Sequence, residues 1–193
     1  MKVSTADKIL NHSKPLFAEE GYGGFSMRAL SERSGVSLSS IYHFYNDKDE
    51  LLEFLFNTIN TSLGKKRAQL PQKSTARDLL YDRIVFQFEN IEEVVFVLKY
   101  YLHFRKNFLK LDSGFLPPKT YLHVEEVLDF GINTGEFSLK THQIQKNSKV
   151  IVHAINGYLL EYYPDPPKGP ELHKVVGSIH TFLLRSLTNK EGL

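Results

Sequence analysis

The chain has 193 residues, 41% of them hydrophobic, and a formal net charge of +2, enough length and apolar content to bury a substantial core. It contains no Cys, which excludes a disulfide framework, a thiolate nucleophile and a cysteine-ligated zinc site, and suits a reducing compartment. Residues 1–63 carry six basic side chains (Lys2, Lys8, Lys14, Arg28, Arg33 and Lys48) against eight acidic ones, so a polyanion bound there must be held by local geometry rather than by bulk charge.

Apolar residues recur at helical spacing through nearly the whole sequence and alternating segments are scarce, so the fold class read from the pattern is all-α, with about nine helices. The first helix begins near Ser4 or Thr5, buries Ile9, Leu10, Leu16 and Phe17, and ends at Gly21, Gly23 and Gly24. Pro15 removes the amide that would bond the carbonyl of Asn11, which predicts a kink or a late start there. Ser26 is placed to cap a short helix over Met27 to Ser34, and Gly35 stands where a left-handed residue is wanted. Ser37 then caps a third helix over Leu38 to Tyr45. Asn46 and Asp47 break it, and Asp47 caps a fourth helix whose stripe is Leu51, Leu52, Leu55, Phe56, Ile59 and Leu63, with Pro71 closing the segment.

Further helices are predicted at about 74 to 90, 92 to 111, 118 to 133, 141 to 163 and 170 to 188, separated by Gly114 to Pro118, by Gly135 and by Pro164 to Pro167. The longest unbroken aliphatic or aromatic run is Val94 to Leu98, and Met1 to Asn11 holds no apolar stretch of signal-peptide length. No membrane span and a cytoplasmic location are therefore expected.

The informative stretch runs from Phe25 to Lys48. Two short helices joined through a glycine turn, their crossing fixed by Leu30, Val36 and Ile41, are what a helix-turn-helix requires. The leading turn of the second helix can enter a major groove about 12 Å wide, and Ser37, Leu38, Ser39, Ser40 and His43 fall on it. Of the aromatics nearby, Phe44 and Tyr45 read as core, while Tyr42 is balanced between core and surface.

This stretch resembles the DNA-binding region of the TetR family of repressors. Leu16 to Tyr22 is similar to the family's helix-one ending and Gly35-Val36-Ser37 to its turn. Ile41 to Tyr45 and Lys48 to Leu51 are similar to its recognition helix and helix-four start. The resemblance implies that Ser26, Tyr42 and Lys48 touch phosphate, that Arg28 belongs to the same surface, and that Ser37, Ser39, Ser40 and His43 face the groove. Leu38 departs from the Lys, Arg or Pro common in the family and is expected to make an apolar contact to a thymine methyl. A DNA-binding domain over 1–48, with helix four (48–64) linking it to a regulatory and dimerisation domain over 65–193, follows.

In proteins of this family the ligand cavity lies among helices five to eight, and the aromatic-rich stretch 74–133 supplies matching residues. Phe96, Tyr100, His103, Phe104, Asn107 and His123 mix apolar and polar groups as a pocket lining does, and an unidentified, largely apolar small-molecule effector is expected there. The helices over 141–163 and 170–188 resemble the family's dimer-forming pair. Their rows Val150, Ile151, Ala154, Ile155, Tyr158, Leu159 and Val175, Val176, Ile179, Phe182, Leu183 are too extensive for a helix with one wet face.

Enzyme readings find no support: the eight His are scattered without metal-binding spacing, and there is no phosphate loop or nucleophile elbow. No cofactor or metal is expected, and His173 and His180, which share a helix face, read as surface or interface residues. The sequence thus reads as a homodimeric, ligand-responsive repressor that binds a palindromic site on double-stranded DNA. The competing reading is a helical protein-interaction module whose helix-turn-helix is structural only, in keeping with the acidic balance of residues 1–63.

Overall fold

The computed structural model describes residues 4–110 and 120–188, without the side chains of 105–110 and 120. Among the described residues all regular structure is helical: α1 (Thr5–Gly24), α2 (Met27–Ser34), α3 (Leu38–Phe44), α4 (Lys48–Ala68), α5 (Ala76–Glu89), α6 (Ile91–Lys110), α7 (Thr120–Asn133), α8 (Ile144–Tyr162) and α9 (Gly169–Thr188), with a short 3-10 turn at Thr141–Gln143. The expected break at Gly114 to Pro118 lies outside the described residues. None of these helices is long and apolar enough to cross a membrane.

The start of each early helix follows from a side-chain cap. Ser4 accepts from the Asp7 amide at 3.1 Å while the Asp7 carboxylate accepts from the Ser4 amide at 3.3 Å, a reciprocal box that begins α1. Pro15 neither delays nor breaks α1. The non-helical residue is Gly21 (φ 66°, ψ −172°), and the expectation of a kink at Pro15 is corrected accordingly. That backbone region is open essentially to glycine alone, so the direction change falls where a Cβ is missing.

The chain divides into two compact units. The first comprises 4–68 with the described part of 92–111, and the second comprises 69–91 with 120–188. In the first, α6 returns to the N-terminal helices because its aromatic face is buried there: Phe96 lies 4.8 Å, ring to ring, from Phe17, and Tyr100 stacks on Phe56 at 4.4 Å. Phe17, Phe25, Leu30, Ile41, Leu51, Leu52 and Phe96 are at most 1% exposed. Around this core Lys14 pairs with Glu92 and Glu93 at 3.3 and 3.4 Å, and Lys99 donates to the carbonyls of Ala18 and Glu19.

In the second unit α5 packs on α7 and α9, and α7 packs on α8. The turn after α7 locks these helices together. Phe137 inserts its ring against Gly131 and donates its amide to the Gly131 carbonyl at 2.9 Å, Ser138 donates to the Leu187 carbonyl at 2.8 Å, and Glu136 accepts from the Ala76 and Arg77 amides at 2.8 and 3.2 Å. Glu136 therefore completes the N-terminus of α5, where a negative charge meets the positive end of the helix dipole.

Candidate DNA-reading surface

The geometry is set by two caps and one left-handed glycine. The Ser26 hydroxyl accepts from the Ala29 amide at 3.1 Å to begin α2, and Gly35 (φ 66°, ψ 15°) ends it with its own amide on the Ser31 carbonyl. The Ser31 hydroxyl then donates to the Val36 carbonyl at 2.7 Å, which holds the turn, and Ser37 caps α3 by accepting from the Ser40 amide at 3.2 Å. Leu30, Ile41 and Val36 are buried at the crossing, as the sequence predicts.

The leading turn of α3 consequently faces outward. Ser37, Ser39 and His43 are exposed, Ser40 is half-buried, and Leu38 and Tyr42 are 39% and 49% exposed. The three serines are not independent: the Ser37 hydroxyl lies 3.1 Å from that of Ser39 and 2.7 Å from that of Ser40, so one hydroxyl network spans the turn. Phe44 is 44% exposed, against its reading as core, while Tyr45 is buried. The helix ends one residue early. Tyr45 takes an extended conformation (φ −139°, ψ 125°) that turns its ring inward and leaves Phe44 outside beside His43.

Ser26 and Arg28 are exposed at the start of α2, Arg28 in an i,i+4 pair with Glu32 at 3.1 Å. Lys48 begins α4 just after Asp47, whose carboxylate accepts from the Glu50 amide at 2.9 Å. The Lys48 ammonium donates to the carbonyls of Tyr22 and Phe25 at 3.2 and 3.5 Å and sits 3.8 Å from the centre of the Tyr22 ring. A cation held this way is pre-positioned rather than free-swinging, and an ammonium keeps a third N–H for an anion.

Tyr22 is a functional neighbour that the sequence reading passed over. Its hydroxyl donates to Asp49 at 2.7 Å, its ring stacks on His103 at 3.7 Å, and its pKa is pushed up to about 12, first by the Asp49 hydrogen bond and then by burial. It thus stays neutral across the working pH range and supports Lys48 from below. The available signal was the Tyr22 to Lys48 spacing across two helix ends, which fixes no distance without the fold.

The residues expected around an effector are placed as follows. Phe96 and Tyr100 are buried in the first unit's core, Phe104 is half-buried with its ring 4.5 Å from Tyr100, and His103 is exposed on Tyr22. The Asn107 side chain lies outside the described residues. His123 belongs to the second unit and contacts Glu126 at 3.2 Å. His173 accepts from or donates to the Tyr81 hydroxyl at 2.9 Å, and His180 donates to the Arg77 carbonyl at 2.9 Å, with burial holding its pKa below the usual histidine value.

Two short capped helices joined through a left-handed glycine, with an outward-facing, hydroxyl-rich leading turn, form a helix-turn-helix. Residues 9–55 match the model of the bacterial regulatory proteins of the tetR family. It is 27% identical over 106 residues to a probable HTH-type transcriptional regulator, YttP, of Bacillus subtilis, a match covering 51% of each chain. It is 40% identical over 58 residues to the HTH-type transcriptional repressor AcnR of Corynebacterium efficiens, covering 26% of this chain and 31% of the relative. The matched segments thus span about half of the first relative and under a third of the second. The ketosteroid transcriptional regulator KstR2 of Mycobacterium tuberculosis shares the fold over 98% of this chain and 97% of its own, with a TM-score of 0.71 at 18% identity. These relatives are regulators rather than enzymes.

Proposed function

We propose that the chain is a ligand-responsive transcriptional regulator, a repressor that binds a palindromic operator as a dimer and is released by a small, largely apolar effector taken up by its C-terminal helices. The observation that carries the reading is the exposed leading turn of α3, where Ser37, Leu38, Ser39 and His43 stand clear of the core while the turn's backbone is fixed by the Ser37 cap. A rigid helix end with short polar side chains fits a major groove, and Ser26, Arg28, Tyr42 and Lys48 flank it as phosphate ligands. With an acidic N-terminal segment, affinity comes from these few placed contacts and not from a basic surface.

Dimerisation through α8 and α9 brings two such heads to successive major-groove faces, about 34 to 36 Å apart or a larger spacing the duplex allows. Exposed apolar residues on these helices support it: Val150 at 58%, Tyr158 and Leu160 at 43%, and Phe182 at 70%. An effector that prefers one separation of the heads shifts operator affinity through a coupling of about 1 to 3 kcal/mol. The test is a gel shift of the purified protein on genomic fragments at low and physiological salt. Selective, palindrome-dependent retardation is expected, and a dimer that retards no fragment above non-specific affinity overturns the reading in favour of a protein-interaction module.

A further inference from the structure

Among the described residues three buried side-chain atoms have no hydrogen-bond partner, and all three lie on one helix: Nε and Nη1 of Arg83 and Oε1 of Gln87, in the middle of α5. Residues four apart stand above one another on the same helix face. That face is turned inward, since Gln87 is 7% exposed and Leu80 and Ile84 beside it are fully buried. Arg83 as a whole is half-buried, but its Nε and Nη1 are withdrawn from water without an acceptor, which is unfavourable, and the unpaired amide oxygen of Gln87 adds to it. Folded proteins keep such groups where something from outside the chain completes them.

The acids in reach are already engaged. Asp82 is paired with Lys73 at 3.1 Å, and Glu126, whose side chain is 69% exposed, is bonded to His123 at 3.2 Å. Both attract Arg83 through space, but the effect of burial is larger and acts to lower its pKa. The half-buried guanidinium presents its unpaired Nε and Nη1 edge, which a single carboxylate matches with two parallel hydrogen bonds. Gln87 adds a second requirement. Its unpaired Oε1 is an acceptor, so the ligand must carry a hydrogen-bond donor close to its acid group. The neighbours on the same helix, Leu80, Ile84 and Phe88, are apolar and buried, so the surroundings of the pair are hydrocarbon.

We propose that Arg83 and Gln87 form the head-group site of the effector, and that the effector is a hydroxy acid with an alkyl body, its carboxylate on Arg83 and its hydroxyl donating to Gln87 Oε1. This rests on the reading of the C-terminal helices as the sensor. The probes are 3-hydroxyoctanoate, octanoate and 1-octanol, added to the full chain and followed by melting temperature and calorimetric titration. 3-Hydroxyoctanoate is expected to bind and raise the melting temperature, octanoate to bind about tenfold more weakly, and 1-octanol to bind least. Gln87→Leu should reduce the hydroxy acid to the level of octanoate.

Arg83→Met should weaken both acids at least tenfold while leaving the ligand-free melting temperature unchanged or higher, because it removes two buried N–H groups that have no acceptor. Arg83→Lys keeps the charge and should also lose most acid binding, since an ammonium cannot reproduce the guanidinium's fork. The proposal is overturned if none of the three probes binds, if the alcohol binds as well as the acids, or if Arg83→Met melts markedly lower or fails to fold without ligand. That last result would mean that the guanidinium is paired within the chain. Operator gel shifts of the same proteins without ligand separate the two readings: intact DNA binding with no acid binding removes the head-group site alone, and acid binding without operator binding removes the regulator.

Discussion

At the scale of single residues, the reading surface divides its work between a placed charge and a linked set of hydroxyls. Two of the Lys48 N–H groups are spent on the carbonyls of Tyr22 and Phe25, and its nitrogen sits 3.8 Å from the centre of the Tyr22 ring. In the proposed complex such a lysine would meet phosphate as a fixed point charge and carry no information about sequence. Lys48→Ala is expected to weaken binding to all duplexes alike and to reduce the slope of log affinity against log salt by about one. Ser40 is different, because its hydroxyl is tied at 2.7 Å to Ser37 at the edge of the exposed turn proposed to enter the groove. Ser40→Ala should leave the salt slope as it is and change the preference among operator variants by about 1 kcal/mol or more at one base pair. Anisotropy titrations over a salt series and a substituted operator set read both, and equal slopes for Lys48→Ala and the wild type would remove Lys48 from the phosphate contacts.

At the scale of elements, the caps and the glycines explain why the early helices were legible and what was not. α2 begins and ends where Ser26 and Gly35 place it, since a hydroxyl cap and a left-handed residue are local properties of sequence. The bend of α1 was misassigned to Pro15, because a proline's missing amide can be absorbed within a helix while the departure at Gly21 depends on what the next helix must reach. Phe44 was misread for a related reason: periodicity counts positions on a continuing helix, and this one stops at Phe44. The aromatic face of α6 was visible as a stripe, but a stripe does not say which partner covers it, and Phe17 and Phe56 do. In the second unit, Gly131 shows what close approach requires. A Cβ there would stand 2.1 Å from Cδ2 of Phe137, a ring only 4% exposed, so Gly131→Ala should destabilise by about 1 to 3 kcal/mol and lower the melting temperature by several degrees. A melting temperature within a degree of the wild type would mean that the ring can withdraw. Glu136 makes the companion prediction. Burial pushes its carboxyl up, but the amides of Ala76 and Arg77, the Thr134 hydroxyl and the Arg77 charge together hold it below the usual value. A lowered folded pKa gives stability that is fully present above the ordinary glutamate value of about 4.3 and is lost as pH falls through the folded one. Glu136→Gln should therefore be less stable than the wild type at neutral pH, and the difference should vanish in acid. Denaturant titrations from pH 7 to pH 3 measure it, and a gap that persists at pH 3 would assign the loss to shape rather than charge.

At the scale of the whole molecule, the proposed operator binding calls for two reading heads, because one short helix with a single fixed lysine and a few hydroxyls holds too little binding energy for a specific site at physiological salt. Joining two heads turns the second contact into an intramolecular event and raises overall affinity by about 10² to 10⁴ without any new contact. Within α9, Val176, Ile179 and Leu183 are buried inside the second unit, while Phe182 on the other side of the same helix is 70% exposed and Val150 on α8 is 58% exposed. Large apolar side chains left in water on two helices whose inner faces are already satisfied fit a second copy of the chain as their cover. Phe182→Glu places a charge in that proposed interface without touching the core. It should shift the protein from dimer to monomer in light scattering at micromolar concentration and weaken operator binding at least about a hundredfold. Its thermal unfolding, extrapolated to low concentration, should stay close to that of the wild type, because the monomer's own packing is untouched. Lys48→Ala supplies the contrast, a full dimer with weakened DNA binding. If Phe182→Glu remains dimeric and holds the operator as tightly as the wild type, the pairing surface lies elsewhere on the molecule and the spacing of the two heads must be derived from that other face.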